Sequence, residues 1–174
     1  MAWWLGQRQG DILALRRSDY RDGVFYIAQR KTGARIAVPH SLSIAARVEE
    51  ELRRQAAARV TATTLIVNEV TGHAYTTFNF QHLFAEMRTL IAAEMPAWLT
   101  DGGSVATNDL QFMHLRHTAV TELATAGCTV PQIAAITGHT LRSVEQILER
   151  YLVRTSGLAA SATTRRLERE QGET

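Results

Sequence analysis

Two short β-rich runs, DGVFYIAQ and ARIAVPH, stand back to back in a chain whose other long segments carry apolar residues at helical spacing. The RKTG between them supplies Thr32-Gly33 for a turn, so the pair reads as a hairpin with Lys31 at its tip. One antiparallel hairpin, or a three-stranded sheet, set among helices confines the fold to an α+β, mainly helical class. Ahead of it, WWLGQRQGDILALRR reads as a helix starting near Gln7 with Ile12, Leu13 and Leu15 on its apolar face. This opening, with no lead-in, suggests a piece cut from something longer.

Behind the hairpin, residues 41 to about 59 read as an amphipathic helix with a Ser start signal and Glu-to-Arg pairs four apart. Its Glu49-Glu50-Glu51 run reads as a solvated face. TLIVNEVTGHAY is extended with a turn, and TTFNFQHLFAEMRTLIAAEM is a second long helix. Phe78, Phe80 and Phe84 on that helix read as core rather than as base-stacking residues. Pro, Gly, Thr and Asp between Pro96 and Asp109 mark a loop. Four helices then follow, at roughly 113–126, 130–137, 141–150 and 156–169.

At 174 residues the chain fits a single domain, 1–174, able to bury a real core. Hydrophobic residues at 45% and charged residues at 21% exclude a disordered chain. The single cysteine, Cys128, reads as a packed thiol and excludes an internal disulfide. No apolar run approaches the ~20 residues of a membrane span, and no signal-peptide layout opens the chain, so a cytoplasmic location is expected. Net charge is only +2 with a pI near 9.0, so polyanion binding must come from how the basic groups are arranged. Lys31 is the single lysine among 19 basic residues.

Taken one at a time, the residues that could carry chemistry have ordinary readings. Arg8 is a surface arginine, Arg116 a local cap or pair, His139 a helix-start residue after a glycine, and Tyr151 in ILERYLV a core residue. Their order and spacing change this. LGQRQGDILAL carries Arg8 with Asp11 three residues on, QRKTGARIAVP carries Lys31, LRHT carries Arg116, TGH carries His139, and ERYLVR carries Tyr151.

These five phrases, in this order and each on the expected element, resemble the catalytic domain of phage-integrase-type tyrosine recombinases, DNA breaking and rejoining enzymes. The resemblance spans residues 5 to about 155. It implies site-specific DNA recombination, the integration or excision of a phage or mobile element, through a 3′-phosphotyrosyl intermediate. Arg8 and Arg116 would hold the phosphate with planar, permanently charged forks. Tyr151 would attack phosphorus, and guanidinium charge beside it would ease formation of the phenolate. Lys31 would protonate the departing 5′-oxygen, which a lysine can do and an arginine effectively cannot. His139 would donate a hydrogen bond to the phosphate, and Asp11 would hold Arg8.

Phosphate energy kept in the protein linkage requires neither ATP nor a metal, and no cofactor is expected. The resemblance further implies double-stranded DNA attachment sites as partners, a homo-tetramer on DNA, and an N-terminal DNA-binding domain missing from this chain. The segment GLAASATTRRLEREQ would dock on another protomer or end as a solvated helix.

Two features depart from the family pattern. Met113 stands three residues before Arg116, where the family has a histidine, and a thioether cannot take the tyrosine proton. His114 is about 100° further round the helix, and His117 reads as structural. Tyr151 follows His139 by twelve residues rather than nine or so, leaving its use in cis or in trans open. A catalytically impaired DNA-binding remnant, for which Met113 argues, and a type IB topoisomerase are the alternative readings.

Overall fold

The computed structural model describes residues 1–39, 42–100, 103–152 and 156–172. The opening segment is not one helix. It forms α1 (Ala2–Leu5) and α2 (Gln9–Ala14), because Gly6 ends α1 in the left-handed conformation at φ 59°. Arg8 then caps α2 with extended backbone at φ −67°, ψ 150°. The break turns Arg8 inward toward Gln29, which follows the hairpin's first strand, something an unbroken helix would not do.

Strands β1 (Tyr20–Arg21), β2 (Val24–Ala28) and β3 (Arg35–Pro39) form the expected antiparallel sheet in the order β1-β2-β3, with Phe25 opposite Val38 and Ala28 opposite Arg35. The β2–β3 turn is closed by Gln29 and Ala34, with Gly33 at φ 70°. Lys31 lies in this turn with its side chain exposed. Helix α3 (Leu42–Ala57) follows; the Ser41 start signal lies outside the described residues. Glu51 departs from the solvated-face reading: it pairs with Arg54 at 2.7 Å and accepts from Gln55 at 2.7 Å, which holds its carboxyl below the usual range.

Helix α4 (Thr77–Glu94) is capped by Thr76, whose hydroxyl accepts from the Asn79 amide at 3.1 Å. It corrects the core assignment of its aromatics. None of its residues is fully buried, Phe78 is 67% exposed, and Phe80 and Phe84 are half-buried, edge-on to Phe112 at 5.3 and 5.7 Å. Helical spacing fixes which residues share a face but not whether another element covers it. The 96–109 segment is likewise more than a loop. It holds the ribbon β4 (Ala97–Thr100) and β5 (Gly103–Ala106), whose backbone pairing no alternating apolar pattern announces.

Helices α5 (Phe112–Thr125), α6 (Val130–Thr137), α7 (Leu141–Tyr151) and α8 (Ser156–Gly172) match the expected segments closely. Arg165 of α8 donates to the carbonyl of Gly127 at 3.3 Å, a contact within the same chain.

The core has two parts. Leu5, Ile12, Leu15, Phe25, Ile27, Val38, Ile44, Val48 and Leu65 join α1–α3 to the sheet, and Val120, Ile133, Val144 and Ile147 join α5, α6 and α7. Cys128 packs half-buried against the second part. Between the two lies a buried polar seam of Gln7, Gln29, Thr137 and Arg116. No helix among the described residues is long and apolar enough to cross a membrane.

Candidate active site

Arg116 projects from the second turn of α5 and is only 5% exposed. Its Nε donates to His139 Nε2 at 2.9 Å, while Nη1 and Nη2 are buried without a hydrogen-bond partner. Unpartnered buried donors are rare in folded proteins and call for an explanation. Burial, and then the neighbouring Arg8, lower the Arg116 pKa to about 10, against the opposing pull of Asp11. The group remains a cation at neutral pH, held where a cation is costly and with a fork of donors free to bind an anion.

His139 follows Gly138, the left-handed C-cap of α6 at φ 66°. Because a guanidinium only donates, His139 Nε2 must accept, which leaves the imidazole proton on Nδ1 facing Thr137 Oγ1 at 2.9 Å. Thr137 Oγ1 in turn donates to the Ile133 carbonyl at 2.8 Å. Burial first, then Arg116, Arg8 and His117, lower the His139 pKa to about 3. The imidazole is therefore neutral and serves Arg116 as an acceptor; the sequence expectation had it donating to phosphate.

Arg8 is half-buried. Its Nη1 lies 3.8 Å from Asp11 Oδ2 and donates to Gln29 Oε1 at 3.1 Å. Asp11, 6% exposed, spends its other oxygen on the Arg30 amide at 3.0 Å, tying the base of the Lys31 turn to α2. Arg8 is thus steered by an amide as well as by the expected carboxylate.

Tyr151 ends α7, 41% exposed, and its ring stacks on His117 with centroids 5.0 Å apart and planes at 28°. His117 Nδ1 is buried without a partner, and burial, with His114, Arg116 and Arg150 around it, lowers its pKa. His114 folds back so that its Nδ1 accepts the Gln111 amide at 3.2 Å. Met113 is 51% exposed. Arg8, Arg116 and His139 therefore gather at the seam between the two cores, with His117 and Tyr151 beside them along α5 and α7. Among the described residues, Lys31 is tied to this group through the residues on either side of it, Arg30 and Thr32.

Gln7, Gln29 and Thr137 were missed from sequence. Gln7 directly precedes Arg8, Gln29 precedes RKTG and Thr137 opens TGH, but a glutamine or threonine carries no mark of burial in its neighbours.

A helical domain with a three-stranded antiparallel sheet, two arginines converging at its polar seam and a tyrosine at the end of a late helix define a tyrosine-recombinase catalytic fold. Residues 2–154 match the phage integrase family, and the chain belongs to it. It is similar to the integrase of Escherichia phage lambda, 49% identical over 39 residues, which is 22% of this chain and 11% of that protein.

Among solved structures, XerA recombinase superposes with a TM-score of 0.65 at 16% identity, over 95% of this chain and 55% of that one. The Tn1549 transposon integrase in complex with transposon right end DNA gives 0.66 at 17% identity, over 94% and 56%. A lambda integrase dimer bound to a COC' core site gives 0.61 at 22% identity, over 84% and 48%. The chain thus spans about half the length of these solved relatives.

Proposed function

We propose that the domain cuts and rejoins DNA at attachment sites of a phage or mobile element through a covalent bond between Tyr151 and a 3′-phosphate. The observation that carries this reading is the Arg116 guanidinium, buried, charged and left with two unpartnered donors beside Arg8. A phosphodiester meets both needs, since its non-bridging oxygens accept from the fork and its charge offsets two cations held close together.

In the cleavage step the Tyr151 oxygen bonds to phosphorus and the bond from phosphorus to the 5′-oxygen breaks. The 5′-oxygen leaves with the electron pair and takes a proton from the Lys31 ammonium. The phenolic proton passes to the imidazole of His117, which lies against the tyrosine ring and whose basicity burial lowers, Met113 standing where the family has a histidine. Rejoining reverses each transfer, and no outside energy source is consumed. Solved relatives include a lambda integrase tetramer bound to a Holliday junction, which supports assembly of four protomers on DNA.

The test uses duplexes randomised around one phosphodiester and nicked a few nucleotides downstream, so that the short cleaved fragment diffuses away and the adduct accumulates. The chain, at about 50 mM salt to favour weak phosphate contacts, is expected to give a denaturant-resistant protein–DNA band whose captured sequences converge. Tyr151→Phe should abolish it. Absence of the band, or its persistence in Tyr151→Phe, defeats the reading. DNA retention without any band would favour the binding remnant for which Met113 argues, and relaxation of supercoiled plasmid without sequence convergence would favour the topoisomerase.

A further inference from the structure

Gln29 sits two residues before Lys31, immediately after β2, and is 1% exposed. All four hydrogen-bonding positions of its amide are used. Oε1 accepts from Arg8 Nη1 at 3.1 Å and from Thr32 Oγ1 at 2.8 Å; Nε2 donates to Gln7 Oε1 at 2.7 Å and to the Thr137 carbonyl at 2.8 Å. A guanidinium can only donate and a carbonyl can only accept, so this amide has one possible orientation. Gln7, itself fully buried, continues the chain by donating to the carbonyls of Leu5 at 2.6 Å and Ile136 at 3.0 Å.

The backbone is shaped around this amide. A Cβ on Gly138 would stand 2.2 Å from Gln29 Nε2, and one on Gly6 would stand 2.6 Å from Thr137 Cγ2. Both glycines have positive φ, so the two turns that flank the seam admit the amide and exclude a larger residue. Core packing alone would favour an apolar side chain here. A buried amide satisfied on every side instead fixes its partners relative to one another. Those partners are Arg8, the turn that carries Lys31, and the end of α6 that leads into His139.

We propose that Gln29 is a positioning residue that couples the lysine-bearing hairpin to Arg8 and His139, holding the proton donor in register with the phosphate-binding groups. The proposal rests on the reading of Lys31 as the acid that protonates the 5′-oxygen. Without the amide, the Arg30-to-Asp11 bond is what ties the Lys31 turn to the rest of the site among the described residues, and proton delivery suffers more than phosphate binding does.

The test compares two versions of the duplex selected above: the ordinary one, and one whose scissile 5′-bridging oxygen is sulfur. A thiolate is a far better leaving group than an alkoxide, with a thiol pKa of about 8.5, and departs without a proton donor. Lys31→Ala should lose about 100-fold or more in adduct rate on oxygen and recover most of it on sulfur. Gln29→Met, close in volume but unable to make the four bonds, should lose about 10- to 100-fold on oxygen and at least ~10-fold less on sulfur.

Thr32→Val removes one of the four bonds from the exposed turn without entering the core, and should show the same sulfur preference at smaller size. This second variant decides the matter if Gln29→Met unfolds. Equal losses on oxygen and sulfur for the Gln29 and Thr32 variants, with Lys31→Ala rescued, overturn the positioning role alone. A Lys31→Ala variant that sulfur does not rescue overturns the acid assignment, and the positioning role with it.

Discussion

At the scale of single residues, the site is governed by which groups stay uncharged. His139 has a folded pKa of about 3 against about 6.5 in an unfolded chain. Between those values the unfolded state binds the extra proton, so stability rises with pH across the window and is lost as pH falls through it. His117 is shifted in the same direction, also chiefly by burial. The urea midpoint should therefore drop from pH 7.5 to pH 4.5, and His139→Gln should lessen the drop while His117 preserves part of it. An identical drop in the variant would show that His139 is not buried neutral.

His117 offers a second residue-scale prediction. His117→Phe keeps a ring against Tyr151 but removes the nitrogen, and adduct formation should fall about 100-fold if that nitrogen takes the phenolic proton. Met113→His should raise the adduct yield by supplying an imidazole at the family position. An unchanged yield would mean that proton removal at that position is not limiting.

At the scale of elements, the breaks between helices matter more than the helices. Gly6 splits the opening segment and aims Arg8; Gly138 ends α6 and presents His139 while making room for the Gln29 amide. Gly138→Ala must hold a Cβ at φ 66° and displace that amide, and should cost about 2 kcal/mol or more in thermal or chemical unfolding. Gly10→Ala is the internal comparison. Gly10 lies in α2 with nothing within 4 Å of its Cβ position, so the change should be neutral or stabilise by about 0.5 kcal/mol. Similar losses at both positions would mean that the Gly138–Gln29 approach carries no weight. The TGH phrase was visible in sequence as a motif. Its glycine's reason for being there was not, because the amide it accommodates lies more than a hundred residues earlier.

At the scale of the whole molecule, a net charge of +2 leaves little long-range attraction, so the DNA affinity we propose must rest on the few cations gathered at the seam and around it. Binding of a 30-base-pair duplex, followed by fluorescence anisotropy, is expected to weaken by at least ~10-fold between about 50 and 200 mM salt. An affinity indifferent to salt would mean that the contacts are not with phosphates.

By itself the sequence determined the fold class, the hairpin with Lys31 in its turn, the last four helices and the order of the candidate groups. These follow from local periodicity, turn chemistry and spacing, which a chain carries wherever it folds. Tertiary packing alone sets that α4 leaves Phe78 exposed, that residues 97–100 and 103–106 pair as a ribbon, that His139 accepts from Arg116, that His117 lies on Tyr151, and that Gln29 joins Arg8 to the end of α6. Each depends on which surfaces meet across long stretches of chain. Burial and hydrogen-bond partnership belong to pairs of segments, and neither segment encodes them alone.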